Sequence, residues 1–367
     1  MGSACAYFLH TDADFRGSIA VVEPDPSYRE AASSRSASSI RLQFSTPVNI
    51  ALSRFGMDFV RAGDFGLVES TYLFLATAQG RSALEQNVAA QRAESVPVAL
   101  HDSLALSQRY PWLNTQDLVA GSDTSRGEGW FDGHALLTAL RAANERAGVR
   151  YLRDRVVALE CAQARITAAH VQEQGRIACG HAVIAAGTRS RELAASAGID
   201  LPVYARKRNV FVFTCPMEVS GCPLVIDPSG LWFRAERDRF LCGVPESPDP
   251  NVSPDDFEVD LALFENQAWP ILAHRVPAFE SIRLSSAWAG HYDYNVFDQN
   301  AFVGPVPGIA NLLLASGFSG HGLQQAPGVG RALAEYIRFG RYLSIDLAAL
   351  AYARFLADQP MREANVI

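Results

Sequence analysis

The 367-residue chain is 49% apolar, 19% charged and carries a formal charge of −7, which excludes a disordered chain and argues against a basic nucleic-acid binder. Its six cysteines include no C-x-x-C pair, so neither a redox dithiol nor a metal site is expected, and a reducing compartment fits better than secretion. No apolar run reaches the roughly 20 residues of a transmembrane segment and no basic-then-apolar leader opens the chain, so the expectation is a cytoplasmic protein. In chain order, Gly2 to His10 reads as a helix, and Ser18 to Glu23 as a short buried parallel strand ending in an acid. Pro47 to Gly63 is a second helix. Asp132 reads as the N-cap of a third across His134 to Arg146, stopped at Gly148. Val149 to Leu159 reads as one strand and His181 to Ala185 as another, closing at Ala186-Gly187.

From Val203 to Val244, short β-rich runs separated by Pro and Gly point to a more antiparallel sheet. A proline-rich loop, Pro245 to Pro254, precedes a helix expected near Phe257 to Ala273. After Ile282 to Ala289 the pattern is expected to return to the first domain, with a strand at Asn311 to Ser316, a glycine-rich loop and a helix over Gln325 to Phe339. This order predicts an α/β fold with a Rossmann-like nucleotide-binding domain from residues 1–70, 130–198 and 285–345. An α+β substrate domain with an antiparallel sheet, residues 71–129 and 199–284, is inserted, and residues 346–367 form a tail.

Three constellations carry chemistry. Glu23 ends a strand about 20 residues after Gly2 opens a helix, the second half of a dinucleotide fingerprint in which the acid holds a ribose. Ser33 to Arg41 combines small hydroxyl residues with Arg35 and Arg41, and reads as a loop approaching phosphate or as a solvated serine linker. Gly317-Phe318-Ser319-Gly320-His321-Gly322-Leu323 lies between a strand and a helix. Its glycines permit positive φ, and the helix adds its positive end to an anion nest. A Ser-His-Asp hydrolase built from Ser319, His321 and Asp298 is the poorer reading, since no G-x-S-x-G elbow exists.

V-V-E-P at Val21 to Pro24, S-S-R-S-A at Ser33 to Ala37, A-A-G at Ala185 to Gly187, G-F-S-G-H-G at Gly317 to Gly322 and P-G-V-G-R at Pro327 to Arg331 make the chain resemble the FAD-dependent oxidoreductases of the D-amino-acid oxidase and sarcosine oxidase type. The resemblance runs over essentially the whole chain. The stretch Tyr292 to Asn300 places it nearest a branch linked to assembly of a respiratory complex. It implies that Glu23 holds the adenosine ribose and that Gly2 packs the first helix against the pyrophosphate. Arg35 and Ser36 would lie along the pyrophosphate and ribitol, Val156 would meet adenine, and Ala186 and Gly187 would border the ADP. Gly317, Phe318, Ser319, Gly320, His321, Gly322 and Leu323 would line the isoalloxazine, which the nest would stabilise when reduced.

The implied activity is hydride removal from the C–N bond of a small amine or amino acid, with Arg41 gripping a carboxylate and His291, Tyr292, His321 and Gln324 on the substrate side. A 2-hydroxy acid, or a non-catalytic assembly role that keeps FAD, are the alternatives. The family fingerprint begins with a strand and two glycines ahead of the position of Gly2, and a start further upstream is expected. Gln324 stands where sarcosine oxidases carry a carboxylate-binding lysine, and Leu231 to Val244 lacks their oxygen-activating lysine. A dehydrogenase handing electrons to a quinone or carrier protein is therefore expected. No cysteine lies near Tyr292 to tether the flavin, which predicts non-covalent FAD.

Overall fold

The computed structural model describes residues 1–363. The first helix is Gly2–His10, the second Pro47–Ala62, the third Gly133–Arg146 and the closing helix Gly322–Phe339. Asp132 caps the third helix by accepting the Ala135 amide at 2.9 Å. The first and closing helices cross so tightly that a Cβ on Gly330 would sit 2.6 Å from the Ala4 carbonyl carbon. A Cβ on Gly328 would fall 2.9 Å from Leu52 of the second helix, so the P-G-V-G-R run seats one helix on two others. Gly330→Val is expected to destabilise the protein by about 1–3 kcal/mol, the usual cost of overpacking. Thermal unfolding checks this; an unchanged midpoint would contradict it.

Beside these helices lie two short parallel pairings. Ala20–Val22 runs parallel to Arg150–Leu152, and Ala182–Ile184 parallel to Ile309–Ser316, which also pairs with Phe302–Val306. Ala20–Val22 and Ala182–Ile184 do not pair with each other, and both line the central cavity. Ser18 to Glu23 was expected to be a buried strand, yet Ala20 is exposed and Val21 and Val22 are only half-buried, as are Ala182 and Val183.

An eight-stranded sheet forms the second body. Its order is Arg283–Asn295, Val203–Thr214, Arg239–Gly243, Trp232–Glu236, Leu224–Ile226, Tyr72–Ala76, Ala120–Thr124 and Val98–Asp102. All neighbours are antiparallel except Leu224–Ile226 on Tyr72–Ala76. Side chains alternate across a strand. Leu73, Val225, Phe233, Cys242 and Phe211 therefore pack under the Leu261–Arg275 helical segment, while Tyr72, Leu224, Ile226, Trp232 and Val210 face the cavity.

Several expected boundaries change. Arg283–Asn295 does not return to the first domain: it pairs with Val203–Thr214 along its length, in the large sheet. Val149 to Leu159 is two strands, Arg150–Leu152 and Val156–Ala162. Asp154 breaks it by accepting the amides of Arg155, Glu173 and Gln174 at 2.8–3.2 Å. The helix expected from Phe257 starts only at Asp260, whose carboxylate accepts the Ala262 and Leu263 amides. Among the described residues no helix is long and apolar enough to cross a membrane.

The run from Pro245 to Asp260 is a strap over the cavity, with Pro245, Pro254, Asp255 and Phe257 in its lining. Ion pairs fix it: Asp249 to Arg206 and Arg208, each at 2.8 Å, Asp256 to Lys207 at 2.8 Å, and Asp255 to Arg189.

Candidate flavin and substrate site

One cavity of about 1370 Å³ runs between the split parallel sheet and the large sheet. It exceeds the ordinary 300–1,000 Å³ of a small-molecule site. Gly2, Glu23, Val156, Ala186, Gly187, Arg35 and Ser36 line it together with Phe318, Gly320, His321, Gly322, Leu323, Arg41, Gln324, His291 and Tyr292. Gly2 and Gln324, near opposite ends of the sequence, are thus brought to one space. Gly317 and Ser319 are the sequence-derived candidates that do not line it, and the hydrogen bonding explains why.

Gly317, Ser319 and Gly320 have φ of 78°, 49° and 95°. Gly317 donates its amide to Asp293 Oδ2 at 2.7 Å, Ser319 donates to the Asp293 carbonyl at 3.1 Å, and the Asn295 amide donates to Ser319 Oγ at 3.1 Å. The inner half of the loop is therefore spent on holding it to the Arg283–Asn295 strand. Gly320, Gly322 and Leu323 are left for the cavity, at the positive end of an 18-residue helix. A Cβ on Gly320 would fall 2.5 Å from a Tyr292 ring carbon, at a φ that L residues avoid. These observations fit a flavin: a close approach at Gly320 that a Cβ would fill, a helix N-terminus beside it, and an acid following a strand in the same cavity.

Burial pushes the Glu23 carboxyl up, partly offset by the Asp25 amide that it accepts at 3.0 Å. Arg35 is anchored rather than free. It donates Nη1 to the Ala289 carbonyl at 2.8 Å, its own carbonyl accepts Trp288 Nε1 at 2.8 Å, and its guanidinium stacks on Phe257 at 4.2 Å.

Desolvation pushes Asp293 up to about 6 from 3.8, although the Phe318 and Gly317 amides pull it down. A folded-state pKa above the unfolded value means that the folded chain binds the extra proton between about 4 and 6. Stability from this group is full below the lower value and is lost as pH rises through about 6. Thermal midpoints measured at about pH 5 and about pH 7 are expected to show less loss on raising pH in Asp293→Asn than in the unsubstituted protein. Equal losses would contradict this.

Arg41 is buried and donates Nη2 to His321 Nε2 at 2.9 Å. Its guanidinium lies 4.5 Å from the Phe44 ring, 5.4 Å from Phe74 and 5.8 Å from Tyr72. Burial lowers its pKa, opposed by Tyr72, Glu363, Glu128 and Tyr292. Arginine stays charged. Burial, followed by the Arg41 charge, holds His321 well below the usual histidine value, so its ring is neutral and Nε2 accepts. The backbone around Arg41 is set by distant side chains. Arg41 N donates to Gln324 Oε1 at 2.8 Å, Leu42 N and Gln43 N to Glu128 Oε1 at 2.9 and 3.1 Å, and Ser45 N to Glu363 Oε1 at 2.7 Å. Gln324 thus has its acceptor oxygen committed to the Arg41 backbone.

His291 stands across from Lys207 in the sheet, its ring 4.5 Å from Phe257, and burial lowers its pKa. The hydrolase reading fails on geometry: Asp298 is held by Arg354 at 2.7 and 2.9 Å, and Ser319 Oγ accepts from the backbone. Among the described residues no group of three or more His, Cys, Asp or Glu is placed to hold a metal. The sequence reading missed Tyr72, Arg208, Leu224, Ile226 and Trp232, all in the cavity lining. Their alternation was visible, but which face met the cavity needed the register.

The family model described as FAD dependent oxidoreductase matches residues 1–336. The chain is 37% identical to FAD-dependent oxidoreductase domain-containing protein 1 of Xenopus laevis, over 100% of this chain and 83% of the relative. It is 31% identical to the Drosophila melanogaster homolog, over 100% of this chain and 78% of that protein. Among solved structures it is similar to the L-proline dehydrogenase of P. horikoshii, with a TM-score of 0.85 at 20% identity, covering 98% of this chain and 96% of the other. It is also similar to glycine oxidase from Geobacillus kaustophilus, with a TM-score of 0.80 at 22% identity, covering 95% and 94%. The fold, the acid-ended strand, the helix-seated nest and the family match agree, and the chain belongs to the FAD-dependent oxidoreductase family.

Proposed function

We propose that this chain oxidises the C–N bond of a small amino acid or N-alkyl amino acid, with FAD held non-covalently. The observation that carries the reading is Arg41, a buried guanidinium between the nest at His321 and the sheet face at Tyr72. A fixed cation there suits a substrate carboxylate. When bound, FAD would supply the two-electron acceptor for oxidation of the C–N bond to an imine, which water would hydrolyse to a carbonyl compound and an amine.

The chain's own residues bind and orient. Glu23, Gly2, Val156, Ala186 and Gly187 would hold the adenosine end, Arg35 and Ser36 the middle, and Gly320, Gly322 and Leu323 the ring. Arg41 fixes the carboxylate, Gln324 positions the Arg41 backbone, and neutral His321 accepts from Nη2 without adding a charge of its own. Tyr292 packs over Gly320 and shields that part of the cradle from water. His291, packed on Phe257, shapes the cavity wall rather than moving a proton.

Electrons pass on to a quinone or carrier protein rather than to oxygen. Lys207, the only lysine of the chain, is bound to Asp256 and does not line the cavity. Relatives with C–N substrates include proteins named 4-methylaminobutanoate oxidase, from Paenarthrobacter nicotinovorans, and N-methyl-L-tryptophan oxidase, from Salmonella. The test is anaerobic mixing of the FAD-loaded protein with amino acids and N-methyl amino acids, followed by visible absorbance. Bleaching of the oxidised flavin band supports the reading. Bleaching by 2-hydroxy acids alone replaces C–N with C–O chemistry, and no bleaching by either favours a non-catalytic, assembly-type role. Stoichiometric peroxide in air would overturn the choice of acceptor.

A further inference from the structure

The large sheet carries a feature that the oxidation chemistry leaves open. Its register sets Tyr72 beside Leu224 and Ile226 beside Trp232. Leu224 and Ile226 share one face because strand side chains alternate, and neighbouring strands are about 4.8 Å apart. The four residues therefore form one apolar row across three strands, about 10 Å wide. All four line the cavity.

The row is rigid. Tyr72, Leu224 and Ile226 are buried and packed with Phe74 and Leu84, and Trp232 rests on this cluster as its half-buried member. Trp232 also lies flat over Gly243: a Cβ there would fall 2.6 Å from the indole Nε1. The ring is thus held across the sheet as a platform. At the Tyr72 end stands Arg41, its guanidinium 5.8 Å from the Tyr72 ring centre. A substrate with its carboxylate on Arg41 has this row as the surface next to its side chain.

We infer that the substrate is an amino acid, primary or N-methylated, with a bulky apolar side chain, branched or aromatic, and that Trp232 sets this preference. The inference rests on the reading of Arg41 as the carboxylate anchor. Glycine and sarcosine leave the row facing water, whereas an isobutyl or benzyl group covers it and an aromatic ring stacks on the indole. A single methylene in such a pocket is worth roughly 10- to 200-fold in kcat/KM. Discrimination on the order of 100-fold or more against sarcosine follows.

The experiment measures anaerobic flavin reduction rates of the FAD-loaded protein. Leucine, phenylalanine and N-methylphenylalanine, each as both enantiomers, are compared with glycine and sarcosine. Trp232→Ala and Trp232→Phe are run beside the unsubstituted protein, with bound flavin checked by its visible spectrum. The expected result is preference for the bulky substrates by about 100-fold, reduced at least tenfold in Trp232→Ala and largely kept in Trp232→Phe. Glycine or sarcosine reducing the flavin as fast as the bulky substrates would overturn the inference and leave the Arg41 reading standing. A uniform loss on every substrate in Trp232→Ala would overturn the role of Trp232. Bound flavin that no amine reduces would overturn the inference together with the proposed function.

Discussion

Replacing Arg41 with methionine is expected to lower kcat/KM for an amino-acid substrate by about a thousandfold, close to 4 kcal/mol of transition-state stabilisation. The size follows from the setting. The guanidinium is buried, faces the rings of Phe44, Phe74 and Tyr72, and has neutral His321 as acceptor for Nη2. A carboxylate arriving there meets a fixed charge in a low-dielectric space, where truncating one partner of a hydrogen-bonded charge pair costs 2–5 kcal/mol or more. An amine of matching shape without a carboxylate is expected to lose much less, and Arg41→Lys to recover part of the rate. Reduction kinetics normalised to bound flavin make the comparison. Equal losses with and without the substrate carboxylate would remove Arg41 from the anchoring role.

The second large effect is expected at Glu128, outside the cavity lining. Its carboxylate accepts the amides of Leu42, Gln43 and Tyr72 at 2.9, 3.1 and 2.9 Å, Gln43 Nε2 at 3.1 Å and Thr124 Oγ1 at 2.7 Å. Burial raises its pKa, while these donors favour the charged form. Glu128→Ala leaves all five donors without this acceptor, and each unsatisfied buried group costs about 1–3 kcal/mol. With partial relaxation the loss is about 3–5 kcal/mol, a fall of about 5 °C in Tm for a chain of this size. Glu128→Gln keeps the shape but turns an NH2 toward donors, so it is expected to recover only part of that fall. A shift of less than about 1 °C in both variants would show that the Arg41 segment is held by something else.

Much of the cavity wall was readable from sequence because its signals are local. Three glycines in six residues, an acid closing a strand and an N-cap three residues ahead of an amide are short-range signals, and Asp132 bonds where its spacing says it should. What escaped depends on long-range register. Trp232 stands beside Ile226 only once the strands pair, and Arg283–Asn295 joins the large sheet although its continuation leads into the nest. Gln324 was read by analogy with a substrate-binding lysine. Its amide oxygen instead faces the Arg41 backbone across 283 residues of chain, a contact that no spacing rule encodes. The inner amides of the nest were assigned to the cofactor for a related reason: nothing in G-F-S-G-H-G says that Asp293 will claim them first.

The strap over the cavity has one more property. Its Asp256 holds Lys207, the single lysine of the chain, in an ion pair whose ammonium side is largely buried. An amine-directed reagent therefore finds one side-chain target, already committed to a carboxylate of the strap. Its reactivity is therefore expected to rise when Asp256 is replaced, because that carboxylate is the strap's hold on it.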